Sequence, residues 1–323
     1  LISSSRPQLF PSDSKVSFKT KLRQFRRRKR DPIAALLILG PLVLWWFVIG
    51  GVPTLFGFLL GFFDWVGLTA KPEFIGLGNY VQFFTDPIYY ESLFRAVWMG
   101  MLGTGLTILF GFGAALLMNL PLRGRGIYRT IWYVPVVTST VATTQVFNIF
   151  LDPSNGVINN VLVSMGLQPI LWGYSTFWGV FWIIVYTVWK GIGGTALLWL
   201  AGLQSIDRQL YEAAQMDGAN AWKRFLHVTM PGLKPITTYV MITGFIGAVQ
   251  IYEQVMFITG GGPYGTTEVL VFRILRDAFW DFNLGMAGAS SVILAGVVFL
   301  FTVIYFRMMT ENERTSRKRR ERG

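Results

Sequence analysis

The sequence predicts an all-α membrane protein that crosses the bilayer six times with both ends in the cytoplasm. Three observations point there. The 323 residues are 52% apolar and 14% charged, whereas a soluble domain carries about 25% charged residues. The runs 33–63, 96–122, 130–151, 153–189, 191–206, 235–252 and 282–306 contain no Lys, Arg, Asp or Glu, and a helical span needs about 20 residues. The third observation is how the basic residues are spread. With the first residue inside, the inner segments hold 10 Lys and Arg before Pro32, three in 121–129, four in 204–234 and seven from Arg307 onward. The outer segments hold only Lys71, Arg95, Arg273 and Arg276, the asymmetry that keeps basic loops cytoplasmic.

The same asymmetry accounts for the net charge of +12 without nucleic acid. Arg26–Arg30 abut the first span and are placed to meet anionic headgroups of membrane lipid. With no cysteine, a disulfide framework and a thiolate metal site are excluded. The basic start reads as a retained cytoplasmic segment, because the apolar run behind it is long and has no clear small-residue cleavage site. The single histidine, His227, lies beside a lysine and an arginine and reads as a surface residue.

Taken in order, 1–32 is a basic cytoplasmic segment in which 14–24 forms a short helix on the inner face, 33–309 is the membrane domain and 310–323 is a basic tail. Pro41 and Pro53 interrupt the first apolar run, so its helix is expected to end near Gly51 and to leave 56–65 as an outer amphiphilic segment. The second span covers 92–120, where Gly100, Gly103, Gly105, Gly111 and Gly113 permit close helix approach. After an inner turn, a third span follows over 131–150. Asp152-Pro-Ser-Asn-Gly signals a turn, and 157–165 forms a short outer helix. The fourth span, 176–203, reads as one tilted or broken helix despite Lys190-Gly-Ile-Gly-Gly. Trp178, Trp182, Tyr186 and Trp189 share one of its faces and either pack on neighbouring helices or line a solute path. The fifth span, 235–258, carries Glu253 near its outer end. The glycines of 258–268 turn the backbone at the membrane rim and form no phosphate loop, since no lysine follows them. The sixth span, 285–309, begins with small residues suited to close packing.

Residues 207–231 form a polar hairpin on the inner side. Asp207 caps a helix from Arg208 to Met216, Gly218 ends it, and Asn220 caps a second from Ala221 to Thr229 that stops before Pro231. Trp222, Phe225 and Leu226 share a face. On these residues alone the hairpin braces two spans or docks a partner.

The stretch LYEAAQMDGANAWKRFLHVTMPGLKP resembles the signature loop of the membrane subunits of binding-protein-dependent ABC importers. Glu212, Ala213, Ala214, Asp217, Gly218, Ala219, Phe225 and Pro231 match in order. Leu203-Gln-Ser-Ile, Thr259-Gly-Gly-Gly-Pro and Ala278-Phe279 resemble the carbohydrate-uptake branch, with its maltose, lactose and glycerol-phosphate permeases. The resemblance spans roughly 33–309 and implies a type I ABC importer permease fold in the bacterial plasma membrane. Tyr211, Glu212, Ala213, Ala214, Asp217, Gly218, Ala219, Trp222 and Phe225 would then couple to an ATPase subunit, with Asp217 anchoring the hairpin through accepted hydrogen bonds. The implied partners are a second homologous permease, two ATPase copies that bind ATP and Mg, and an external solute-binding protein. No cofactor is expected on this chain, which has no G-x-x-x-x-G-K-S/T motif and is not read as an enzyme.

Carried over by distance from Glu212, the family's sugar contacts fall near Thr187, Gly191 and Gly194, and near Gly244, Gly247, Ala248 and Ile251. The glycines imply a wider cavity or a different solute. Lys190 and Glu253 join this set, because an intramembrane charge costs about 3 kcal/mol on an insertion scale and so faces a cavity or a partner. Lys190 either attracts an acidic saccharide of the polyuronate or alginate type, or pairs structurally with Glu253 or another subunit. Glycerol phosphate and neutral oligosaccharides stay open as cargo. An ion-coupled secondary transporter is the alternative class, but it would show paired repeats or several intramembrane carboxylates.

Overall fold

The computed structural model describes residues 36–67, 71–121 and 123–320, with backbone alone for 309–320. The expected surface helix at 14–24 and the arginines at 26–30 lie outside the described residues. The chain divides into two compact units, Leu1–Phe56 and Gly57–Gly323. In the first, the described residues are helical. The helix they begin, α1 (Leu36–Leu60), is 25 residues long and does not end near Gly51. A π-helical turn over Phe47–Gly51 immediately precedes Pro53. The wider turn accommodates a ring that would otherwise strike the preceding carbonyl, so the helix continues.

Among the described residues, the second unit is helical apart from a short antiparallel pair, β1 (Phe63–Asp64) and β2 (Glu73–Phe74), and an isolated bridge between Val66 and Asn283. Its helices are α2 (Gly78–Thr85), α3 (Pro87–Asn119), α4 (Arg125–Val137), α5 (Thr140–Phe150), α6 (Val157–Ser164), α7 (Thr176–Gln204) and α8 (Arg208–Met216). They are followed by α9 (Ala221–Gly232), α10 (Lys234–Val249), α11 (Glu253–Ile258), α12 (Leu270–Phe279) and α13 (Leu284–Arg320). Asp86 starts α3 by accepting from the Ile88 N–H at 3.0 Å, with Pro87 at the first helical position, where a missing N–H costs nothing.

The centre of this unit is the pair α3 and α7, joined by an exchange of glycine and threonine. A Cβ on Gly103 would sit 3.2 Å from Thr187 Cγ2, one on Gly191 2.8 Å from Thr107 Cγ2, and one on Gly111 2.9 Å from Thr195 Cβ. Each helix offers a notch where the other offers a branched side chain. Without a hydrophobic force between helices in lipid, such close fit is what holds them. Because both series ascend together, α3 and α7 run parallel. In the opposite sense, α10 packs on α3 through Gly100 against the Ala248 carbonyl and Gly244 against Thr104. Phe245 of α10 stacks on Phe301 of α13.

Between the parallel α3 and α7 the chain returns in two pieces. The single helix expected over 131–150 is broken at Thr138 and Ser139, both extended. Pro135 lies within α4 and withdraws one N–H, and the Thr138 hydroxyl turns back to the Pro135 carbonyl at 2.7 Å. Ser139 then caps α5. The fifth expected span is likewise divided, α10 ending at Val249 and α11 starting at Glu253. The second pieces meet, the Asn148 amide of α5 donating to the Phe257 carbonyl of α11 at 2.7 Å. The fourth span, by contrast, runs unbroken through Lys190 and its glycines. At the far end, α13 continues past Met309 into the expected tail. Among the described residues four helices, α1, α3, α7 and α13, are long and apolar enough to cross a membrane. Counting the pair α9 and α10, bent by 63°, makes five.

Candidate functional site

The hairpin between α7 and α10 forms largely as its residues dictate. Asp207 accepts from the Gln209 N–H at 2.9 Å and Asn220 from the Lys223 N–H at 2.8 Å. Gly218 adopts φ +73°, and the chain closes on α8 by Gly218 N–H to Gln215 O at 3.0 Å and Ala219 N–H to Ala214 O at 2.9 Å. This pair of bonds satisfies the orphan carbonyls of a helix end and needs a left-handed residue at the glycine. The second arm does not stop before Pro231. A π-helical turn over Phe225–Thr229 carries it to Gly232, again opening space for a proline.

The two arms are tied by the Tyr211 hydroxyl on Thr229 Oγ1 at 2.9 Å, and Trp222 stacks on Phe225 with ring centres 5.7 Å apart. Phe225 in turn reaches Phe112 of α3. Glu212, Ala213, Asp217 and Gly218 are exposed and Ala214 and Ala219 half-buried. Met216 and Trp222 are 88% and 66% exposed. The Asp217 carboxylate is exposed and takes no hydrogen bond among the described residues, so it does not anchor the hairpin as the sequence reading expects.

The residues expected along a solute path fall into two groups. Gly191 and Gly244 are contact points with α3, meeting Thr107 and Thr104, and Gly194 faces Val136 of α4. Their missing side chains are occupied by neighbouring helices. Ala248 is fully buried and Ile251 nearly so. Only Gly247 would carry a Cβ into open space. Thr187 donates to the Ile183 carbonyl at 2.7 Å and accepts from Gln254 at 3.3 Å, so Gln254, one residue beyond Glu253, joins the set that sequence reasoning missed.

Lys190 is placed at the break between α4 and α5. Its ammonium donates to the Thr138 carbonyl, one of the acceptors freed by the break. A freed carbonyl in a bilayer costs several kcal/mol if left alone. Tyr186 closes the same place, bonding Thr143 Oγ1 at 2.7 Å and the Thr140 carbonyl at 3.3 Å. Glu253 is near enough to act on Lys190 through its charge. It forms no ion pair with it among the described residues, so of the open alternatives pairing with Glu253 is not the one seen, and Lys190 bonds the Thr138 carbonyl instead. Beyond Tyr186, the aromatic face packs on neighbouring helices and borders a cavity. Trp178 packs on Trp172, while Trp182 and Trp189 join Thr143, Val146, Phe147 and Phe150 around a cavity of about 370 Å³.

A charge cluster at the other end of the helices also escaped the sequence reading. Arg273 of α12 bonds Asp277, reaches Asp281 at 2.9 Å and Glu268 at 3.7 Å, and lies 5.5 Å from the Tyr89 ring centre. Arg276 holds Glu268 at 3.1 Å, and Arg95 of α3 donates to the Glu268 carbonyl at 2.8 Å. Burial pushes the Asp277 carboxyl up to about 6, against the pull of Arg273, while its carboxylate neighbours hold Arg273 firmly charged. The four-residue spacing of Arg273, Asp277 and Asp281 was the available signal.

Residues 107–318 match the family described as the binding-protein-dependent transport system inner membrane component. The chain belongs to this family. As such it is a multi-pass inner-membrane permease of an ABC importer in the carbohydrate and solute uptake branch, and its work is transport rather than catalysis. The permease is 32% identical over 280 residues to the sulfoquinovosyl glycerol transport system permease protein of Agrobacterium fabrum, covering 86% of this chain and 91% of that one. It is 33% identical over 253 residues to the trehalose/maltose transport system permease protein of Thermococcus litoralis, covering 76% and 84%. Among solved structures, a chain of a bacterial ABC transporter involved in import of the acidic polysaccharide alginate superposes with a TM-score of 0.74 at 25% identity, covering 90% of this chain and 99% of that chain.

Proposed function

We propose that this permease moves a saccharide inward by alternating access, with force delivered through the α8–α9 hairpin by two ATPase copies that bind ATP and Mg. A second homologous permease completes the path, and an external binding protein delivers the solute. The carrying observation is the hairpin: a unit tied internally through Tyr211–Thr229 and the Gly218 turn, with Glu212, Met216 and Trp222 turned outward. Such a unit passes on displacement without deforming. A Gly218→Val change puts a branched residue at φ +73°, a strain of about 1–2 kcal/mol. With Glu212→Ala, it is expected to lower uptake at least tenfold while the permease still inserts. Normal uptake and ATPase association in both variants would count decisively against the coupling role.

Six crossings with both ends inside agree best with the helix directions. Parallel α3 and α7 require a return between them, supplied by α4 with α5; α10 with α11 then runs outward and α13 inward. On this reading 33–309 is the membrane domain, 1–32 and 310–323 are cytoplasmic, and the turn 121–125, the hairpin and the end of α13 share the inner side. The chain has no cysteine, so single cysteines introduced at Gly126 and Tyr264 report directly. A membrane-impermeant maleimide added outside intact cells is expected to label only the second; labelling at 126 would overturn the orientation.

For cargo, an acidic saccharide is favoured by Lys190 at the α4–α5 break and by relatives named for a sulfo-sugar and for alginate. Of the residues expected along the path, Thr187, Gly247 and Glu253 are the ones retained in this reading, since neighbouring helices fill Gly191, Gly194 and Gly244 and bury Ala248 and Ile251. Lys190→Met is then expected to reduce uptake of a uronic oligosaccharide about tenfold and to spare a neutral one of equal length. A neutral oligosaccharide is the second reading, supported by the ammonium's bond to Thr138 and by the trehalose/maltose relative. Equal loss of both uptakes would give Lys190 a purely structural role.

A further inference from the structure

We propose that the groove between the inner end of α3 and the start of α4 binds one anionic phospholipid, its acyl chain in the groove and its phosphate at Arg125 and Arg129. The inner placement rests on the orientation given above. Ala114, Leu117 and Met118 of α3 and Arg125, Tyr128 and Trp132 of α4 enclose about 230 Å³. Ala114 and Met118 are buried and form an apolar floor, while Tyr128 and Trp132 are 52% and 38% exposed at its edge. On α4 the residues Arg125, Tyr128, Arg129 and Trp132 follow the spacing of one helical face, so Arg129 shares the face from which Arg125, Tyr128 and Trp132 line the groove. Rings of this kind settle at the headgroup level of a bilayer.

The cations here have no counter-charge of their own. The sequence contains no Asp or Glu from residue 92 to residue 151, and α7, which packs against α4, has none either. Arg123, Arg125 and Arg129 have no ion pair among the described residues, and Arg129 Nε is buried without an acceptor. The first turn of α4 begins at left-handed Gly124 with no side-chain cap, so its N–H groups add to the attraction for an anion. A soluble anion would leave the apolar floor unused, and a neutral lipid would leave the arginines unused. An anionic headgroup on an acyl chain uses both, as basic pockets between helices on the cytoplasmic side do.

The test is native mass spectrometry of the full-length permease in detergent, supplied with equal amounts of dioleoyl phosphatidylglycerol and dioleoyl phosphatidylcholine. Wild type is expected to retain the anionic lipid preferentially. That preference is expected to fall about fivefold for Arg125→Gln and about 30-fold for Arg125→Gln/Arg129→Gln, the scale of one interfacial cation each. Leu117→Gln, at an exposed position, should weaken retention of both lipids and keep the preference. An unchanged preference in the double variant would overturn the proposal, as would displacement of the lipid by inorganic phosphate at equal concentration. Loss of ATPase association in the double variant with lipid preference intact would also overturn it, in favour of a protein contact. Labelling of a cysteine at Gly126 reads the orientation separately, so failure of lipid binding and failure of the topology are distinguishable.

Discussion

Gly193→Ala is expected to leave little correctly folded permease in the membrane, and Gly193→Val essentially none. Gly193 of α7 faces the Trp132 carbonyl of α4, and a Cβ there would overlap that carbonyl oxygen. No rotamer relieves a contact with backbone; α4 must move away from α7 as a unit. Overpacking costs about 1–3 kcal/mol where side chains can give, and a carbonyl gives least, so the upper end applies. Displacing α4 would also pull Thr138 from Lys190, one turn away on α7. The control is Gly105→Ala on α3, where nothing lies within 4 Å of the added Cβ. On helix propensity alone that change gains up to about 1 kcal/mol. Thermal unfolding of the two variants in the same detergent separates them. Equal melting temperatures would show that the α4–α7 contact is not as tight as described.

Arg273→Met is expected to destabilise the packing around α12 by about 3–5 kcal/mol, because it leaves buried carboxylates without their cation. Asp277 is fully buried and Glu268 nearly so, and Arg276 reaches only the second of them. The pH dependence follows from the raised Asp277 value. A carboxyl that titrates at about 6 in the folded chain and near 3.8 otherwise binds its proton more tightly when folded. Its contribution to stability is therefore greatest at low pH and is lost as pH rises through about 6. Without Arg273 the carboxyl moves higher still, so the damage should be larger at pH 7.5 than at pH 5.5. A loss that is equal at both, or worse in acid, would show that Asp277 is not the group left uncompensated.

What the sequence disclosed was what local chemistry decides. Asp207, Asn220 and Gly218 cap and turn the hairpin because each acts on atoms two to five residues away, and Asp152 does the same by accepting from Ser154 and Asn155. The breaks in the third and fifth spans were not legible, since an apolar run of twenty residues looks the same whether or not a distant side chain will satisfy a freed carbonyl. For Thr138 that side chain is Lys190, on another helix. Pro53 misled in the opposite direction because a π-helical turn absorbs a proline and leaves no mark in composition. Gly191 and Gly244 were read as missing volume in a cavity. Only the partner helix reveals that Thr107 and Thr104 fill it.

The two breaks fall in adjoining spans, and the pieces beyond them are joined to each other. With α5 bound to α11 through Asn148 and Phe257, a shift of either piece carries the other, and the breaks at 138–139 and 250–252 are the points that give. Such a shift stretches no helical hydrogen bond at the breaks, but it must give up the bonds of Tyr186 to Thr143 and Thr140 and of Gln254 to Thr187. The pieces before the breaks, α4 against α7 and α10 against α3, are clamped by glycine contacts. The pieces beyond the breaks therefore shift only at the cost of their polar contacts with α7, while the clamped pieces hold their packing.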